Sequence, residues 1–248
     1  MSTDNRISKT EELNEIASRY HLNHDVADKF IEDIFQHYCC DWISTLLAPD
    51  DHVVELGYGE GITLSRLSPH VARYTMVEGA KSLVDIVRNL HPEVEVEHNL
   101  FEEYLPSECC DKLLALHVFE HVDNPVHLAK HLRSWLKPNG EIIVVVPNRN
   151  SLHRQLAVIM GLQPELDSLS PRDHLVGHQR VYDIEAIETD LSCAGFEILD
   201  RKGFFLKVLP NSMMLEHSPD LIGALNTIGD RLPAHMGANI AIHARVKR

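Results

Sequence analysis

The chain has 248 residues, 44% apolar and 24% charged, which suits one large folded domain with a full core. Its 37 acidic against 23 basic side chains give a net charge of −14, a surface that repels phosphate backbones and anionic membranes and makes nucleic acid a poor partner for the whole protein. No apolar run approaches the roughly 20 residues of a membrane-spanning helix, and five cysteines without a C-x-x-C pair argue against a disulfide framework or a zinc site and for a reducing cytoplasm.

The polar stretch from Met1 to Glu12 lacks the apolar character of a secretory signal. Glu11 to Tyr20 and Val26 to Leu47 read as helices, the second with Phe30, Ile34, Tyr38, Trp42 and Ile43 at helical spacing. Residues 1–47 are thus expected to form a helical cap on a main domain spanning 48–248. The pivotal stretch follows. Val53-Val54-Glu55-Leu56 is an apolar run ending beside an acid, and Gly57-Tyr58-Gly59-Glu60-Gly61 places glycines at alternate positions behind it. Such glycines make a tight strand-to-helix turn where a ligand meets bare backbone. A helix from Ile62 is then stopped by Pro69.

Tyr74 to Val77 reads as a second buried strand ending at Glu78-Gly79. Glu78 lies 23 positions beyond Glu55, near the interval of about 20 that separates a nucleotide fingerprint from its ribose-binding acid. Lys81 to Leu90 is an amphipathic helix and Val94 to Glu97 an alternating strand, which stops at His98-Asn99-Leu100-Phe101. Leu113 to Leu116 is the fourth strand, followed by His117-Val118-Phe119-Glu120-His121-Val122-Asp123-Asn124-Pro125, where Asn124 caps a helix running to Leu136. Lys137 to Gly140 is a turn, and Glu141 to Asn148 a fully buried strand.

Residues 148–181 interrupt this rhythm with one short helix, Leu152 to Met160, and a loop; insertions of this length are commonly lids or binding loops. A helix capped by Asp183 and Gly195, a strand from Phe196 to Leu209, a helix from Pro219 to Leu232 and a final strand from Ala238 to Val246 complete the chain.

The E-x-G-x-G-x-G stretch, "HVFEHVDNP", "LKPNGEIIVVVPN" and the "HQRVY…AGF" tail occur in order, each at a strand end. Together they resemble the class I S-adenosylmethionine (SAM)-dependent methyltransferases of the small-molecule group, over residues 50 to 200. The resemblance implies an α/β fold: a doubly wound, Rossmann-like seven-stranded sheet with the last strand antiparallel, a helical N-terminal segment and a lid insertion. It also implies SAM as cofactor, held by Glu55, Gly57, Tyr58, Gly59, Gly61, Glu78, Gly79, Asn99, Leu100, Phe101 and His117. In that reading Glu78 takes the ribose hydroxyls, Asn99 the adenine amino group and Phe101 the ring face. Tyr58 departs from the small residue common at its position, and its ring threatens to crowd the pocket. Tyr20, His21 and His37 are candidates for closing over the methionine end.

Methyl transfer needs in-line placement and exclusion of water; a hydroxyl acceptor also needs a base, for which histidine is suited. Among 17 histidines, His117 at the fourth strand's end and His178 in the insertion are the candidates, with Arg180 placed to hold an acidic group of the acceptor. No resident metal is expected, although related O-methyltransferases carry E-x-x-E-H where this chain has His117-x-x-Glu120-His121, with His174 or His178 able to complete a set. The acceptor is expected to be a small molecule, such as a sugar or a biosynthetic intermediate, methylated on oxygen or nitrogen. The oligomeric state is open, a homodimer included. An NAD-dependent oxidoreductase is opposed by Ile62 at the sixth fingerprint position; a non-catalytic SAM-binding scaffold is opposed by the intact acids and glycines.

Overall fold

The computed structural model describes residues 8–23 and 27–247. Its strands are β1 His52–Leu56, β2 Arg73–Glu78, β3 Glu95–His98, β4 Cys110–Leu116, β5 Leu136–Pro147, β6 Phe196–Phe204 and β7 Asn239–Val246. They form one seven-stranded sheet in the order β3-β2-β1-β4-β5-β7-β6. The β3-β2-β1-β4-β5 run is parallel, and β7 is antiparallel to both its neighbours, as the resemblance implied.

Both faces are buried at the sheet's centre because β1, β2, β4, β5 and β7 are largely apolar there, while the pleat sends neighbours to opposite sides; the outer strands β3 and β6 are more polar and exposed. Val54, Leu113 and Ile142 join Trp135, Leu132 and Leu191 on one face. Val53, Leu114 and Ile143 join Ile31, Phe35, Ile43 and Leu64 on the other. The first face is covered by helices α5 Pro125–Arg133 and α8 Ile184–Cys193, the second by α2 Lys29–Ser44, α3 Ile62–Leu67 and α9 Pro219–Gly229. Truncating a fully buried anchor such as Phe35 to Ala removes about 3–5 kcal/mol.

Several expected boundaries move. Helix α1 spans Lys9–Ile16 rather than starting at Glu11, because Ser8 and Glu11 close a capping box; the chain then widens into a π-turn at Ala17–His21. The expected start of α2 at Val26 and the first residues of the polar N-terminus lie outside the described residues. Strand β5 starts at Leu136, with the expected Lys137–Gly140 turn absorbed as an irregularity in which Asn139 has φ +66°. Strand β6 ends at Phe204, not Leu209, because Phe205 adopts φ +59°. The insertion holds two helices, α6 Leu152–Ile159 and α7 Pro171–Val176. The second lies where a loop was expected; Ser170 and Asp173 cap its start and Gly177, at φ +82°, ends it. Helix α4 spans Lys81–Leu90, as expected. Among the described residues no helix is long and apolar enough to cross a membrane.

Candidate active site

A cavity of about 1100 Å³ lies along the carboxyl edge of the sheet, walled by the turn after β1, the ends of β2 and β4, the N-terminal segment and the insertion. Gly57, Gly59 and Gly61 all have positive φ, the conformation that makes glycine the fitting residue there. Glu78 closes this turn against its own strand. One carboxylate oxygen accepts from the Tyr58 amide at 2.8 Å, the other from the Ala80 amide at 2.6 Å. The acid therefore stands fixed in the cavity wall, with lone pairs left for a ligand. Burial raises its pKa against those amides, which lower it.

Glu55 lies behind the turn and receives the Tyr74 hydroxyl at 2.8 Å. Burial, opposed by that hydrogen bond, pushes its carboxyl up to about 8. Tyr58 is part of the cavity wall, and its ring lies over Gly61, where an added Cβ would stand 2.3 Å from the hydroxyl oxygen, so the two residues are matched to one another. Glu60, on the same turn, accepts His21 at 3.0 Å and faces Lys29 at 3.7 Å, which ties the N-terminal segment to the glycine turn. Tyr20 and His21 line the cavity, as expected. His37 does not; it sits beside Arg66.

On the far side of Glu78, Gly79, Leu100 and Phe101 line the cavity, and the Phe101 ring stands 3.8 Å from where a Cβ on Gly57 would be. Asn99 departs from expectation. It is absent from the cavity wall, and its side-chain oxygen accepts the Leu100 amide at 2.9 Å. The acid at this end is Glu102, held by Lys9 at 2.6 Å, a residue that carries no sequence signal.

At the end of β4, His117 adopts φ +56° and turns its ring toward Phe35 and Glu120, with Nδ1 3.1 Å from Oε1. Burial works to lower its pKa, but the hydrogen bond and charge of Glu120 prevail and raise it. His178 enters from the insertion with Nδ1 2.8 Å from Asp173 Oδ1. Asp173 is itself held by Arg154 at 3.1 Å and by the Ser170 amide at 2.7 Å, and these partners, with His178, overcome burial to keep its carboxyl well below the usual range. An ionised carboxylate only accepts, so in the neutral ring Nδ1 of His178 carries the proton and Nε2 the lone pair. That nitrogen lies 3.9 Å from Glu120 Oε1. His121 packs edge-on to the same ring at 4.7 Å between centroids.

The ligand atoms of Glu120, His121 and His178 all lie within 4.8 Å of one another. His174, named as an alternative to His178, is not in this group. Arg180 corrects a further expectation. It is not part of the cavity wall, and its guanidinium donates to the carbonyl oxygens of Phe119 (3.0 Å), Val122 and Asp123 (3.5 Å). It thereby shapes the loop that carries Glu120 and His121, and its donors are spent on that task.

Comparison with known proteins agrees with this architecture. A family described as a methyltransferase domain matches residues 30–201. The ubiquinone biosynthesis O-methyltransferase of Coxiella burnetii (strain Dugway 5J108-111) is 26% identical over 170 residues, 66% of this chain and 71% of that protein. Its counterpart in strain RSA 331 is matched over 54% of its length, so the chain spans about half of that relative. A possible histamine N-methyltransferase from Thermotoga maritima superposes with a TM-score of 0.62 at 20% identity, covering 95% of this chain and all of that one. The N-methyltransferase NodS of Bradyrhizobium japonicum WM9, in complex with S-adenosyl-L-homocysteine (SAH), superposes with a TM-score of 0.58 at 13% identity, over 95% of this chain and 99% of that one. With more than half of its length matched by the family, the chain belongs to the methyltransferase-domain family of class I SAM-dependent methyltransferases, with SAM as its cofactor.

Proposed function

We propose that the protein transfers the methyl group of SAM to an oxygen or nitrogen of a small molecule bound between the β4 end and the 148–181 insertion, in the cytoplasm. The carrying observation is the Asp173–His178 pair facing the cavity across from the glycine turn: a histidine whose tautomer is fixed and whose free nitrogen can take the acceptor's proton. In this reading Glu78 clasps the ribose, the backbone of Gly57, Tyr58, Gly59 and Gly61 lies along the methionine moiety, and Gly79, Leu100 and Phe101 hold the adenine. Glu55 and the β4-end His117 complete the cofactor side. SAM supplies the electrophilic methyl when bound. The chain's own residues orient donor and acceptor, exclude water and, through His178, receive a proton at Nε2. Residues 9–21 and the insertion act as cap and lid. The net charge of −14 keeps polyanions from the surface, and exposed free Cys109 and Cys193 suit a reducing compartment. Isothermal titration with SAH, followed by a methyl-transfer screen of hydroxyl and amine acceptors, tests the proposal. Absence of SAH binding would remove it.

A second reading, metal-assisted O-methylation, is favoured by one observation: Glu120 Oε2 is buried without a hydrogen-bond partner beside two imidazoles. One carboxylate and two histidines suit a borderline ion such as zinc, manganese or iron better than magnesium. Asp173 on the other nitrogen of His178 is the orienting partner that a histidine ligand uses. Dialysis against EDTA separates the two readings. An unchanged initial rate supports His178 as base, whereas a rate lost to EDTA and restored by one divalent ion supports the metal.

A further inference from the structure

Across β4, β5 and β7 from the glycine turn, the cavity wall includes Lys207, just beyond β6, and His153 of α6, near enough to feel its charge. Three acids lie nearby, and two arginines stand against them. Asp28 pairs with Arg172, Glu32 takes the Asn211 amide at 2.7 Å and faces Arg172 at 3.9 Å, and Asp173 pairs with Arg154. Lys207 has no hydrogen bond from its ammonium and no ion pair within 4.0 Å among the described residues; it feels Glu32 only through space. Nδ1 of His153 is likewise buried without a partner. A half-buried cation without a contact partner gives up part of its hydration, which a folded domain ordinarily recovers by pairing. Here the ammonium borders empty volume large enough for an acceptor.

We infer that this side of the cavity is an oxyanion subsite, in which the Lys207 ammonium receives a carboxylate or phosphate carried by the methyl acceptor. The inference rests on the methyl-transfer reading for the word acceptor, and it narrows that acceptor to an anionic small molecule. It also takes over the task that Arg180 leaves unfilled. Lys207 is then a specificity-determining residue, since it grips a group remote from the reacting atom. Neutral relatives of the acceptor would lose its contribution.

The test uses SAH-loaded full-length protein and three matched pairs of probes: benzoate with benzamide, indole-3-acetate with indole-3-acetamide, and glucose 6-phosphate with glucose. Titration calorimetry is expected to show at least one acid binding about tenfold or more tightly than its neutral partner, the scale of one charge-assisted hydrogen bond. Lys207→Met should abolish that preference and Lys207→Arg should keep it, with SAH affinity unchanged in both as the sign of an intact fold. No acid preferred in any pair, or a preference that survives Lys207→Met, overturns the subsite. If SAH itself does not bind, the cofactor reading falls, and the same titrations on the unloaded chain still decide the subsite. The two failures are therefore distinguishable.

Discussion

Replacing Glu55 with Gln should stabilise the unliganded protein, and more so as pH rises. Glu55 is 3% exposed and hydrogen-bonded by Tyr74. Burial, only partly offset by that hydrogen bond, lifts its carboxyl from 4.5 to about 8. The native state therefore retains a proton that the unfolded chain releases above its ordinary carboxylate pKa. Stability contributed by this group falls as pH climbs from the unfolded value to the folded one, the opposite sign from a salt-bridged acid. A displacement of about 3.5 pH units corresponds to about 5 kcal/mol once both states are ionised, about 3 kcal/mol at pH 7 and about 1 kcal/mol at pH 5. Gln keeps the shape and still accepts from the Tyr74 hydroxyl, but it does not titrate. Urea unfolding of both proteins at pH 5, 6 and 7 isolates the effect, since every other titrating group is shared. The advantage of the Gln variant should grow by about 2 kcal/mol across that window. A difference that stays flat would show that Glu55 is not held neutral and would refute the reasoning.

Three further outcomes follow from the same geometry. Glu78→Ala should weaken SAH binding by about 1–3 kcal/mol in a calorimetric titration, the cost of losing a charge-assisted contact and freeing two backbone amides; unchanged affinity would exclude the ribose role. Arg154→Met leaves Asp173 buried without its cation and should cost about 3–5 kcal/mol in urea unfolding, with amide exchange rising first in the insertion. Asp173→Asn keeps its one oxygen for Arg154 and the Ser170 amide and turns its NH2 toward His178, so the acceptor that fixes the imidazole is lost. Its ¹⁵N resonances should move from the Nδ1–H form toward a tautomer mixture, while SAH binding is retained. An unmoved spectrum would mean that Asp173 does not set the tautomer.

The parts of this molecule that were legible in its sequence are those set by local rules. Ile142–Val146 is a continuous apolar run, and Val53–Leu56 one broken only by Glu55, because both sheet faces are covered, and the three glycines mark a turn that needs positive φ. Helix α7 was equally readable, from Ser170-Pro171-x-Asp173 at its start and Gly177 at its end, but its six residues are too few and too polar to show a period. Arg180 and Asn99 were misassigned for a different reason. Carbonyl oxygens from 119–123 and a neighbouring amide satisfy them, and backbone partners leave no trace in residue identity. The reverse applies to Lys207: its interest lies in a partner it lacks, which only the fold can show.

The distribution of charge along the cavity joins these observations. On the β1–β2 side the acids Glu60, Glu78 and Glu102 border the region proposed for SAM, a ligand with sulfonium and ammonium groups, while Glu55, held protonated, adds no charge there. On the β6 side stand Arg154, Arg172 and Lys207, the first two already committed to Asp173, Asp28 and Glu32. On the proposed reading a cationic donor and an anionic acceptor are each drawn to a separate end, with the reacting methyl between them near the β4 terminus. On that reading the α-ammonium of SAM and the acceptor's anion are both remote from the bond being made, so gripping them serves alignment. The chemistry there needs only alignment, dryness and a proton acceptor such as His178. A chain with −14 overall can therefore take an anionic acceptor, provided the cation that receives it is kept inside the cavity, away from the acidic exterior.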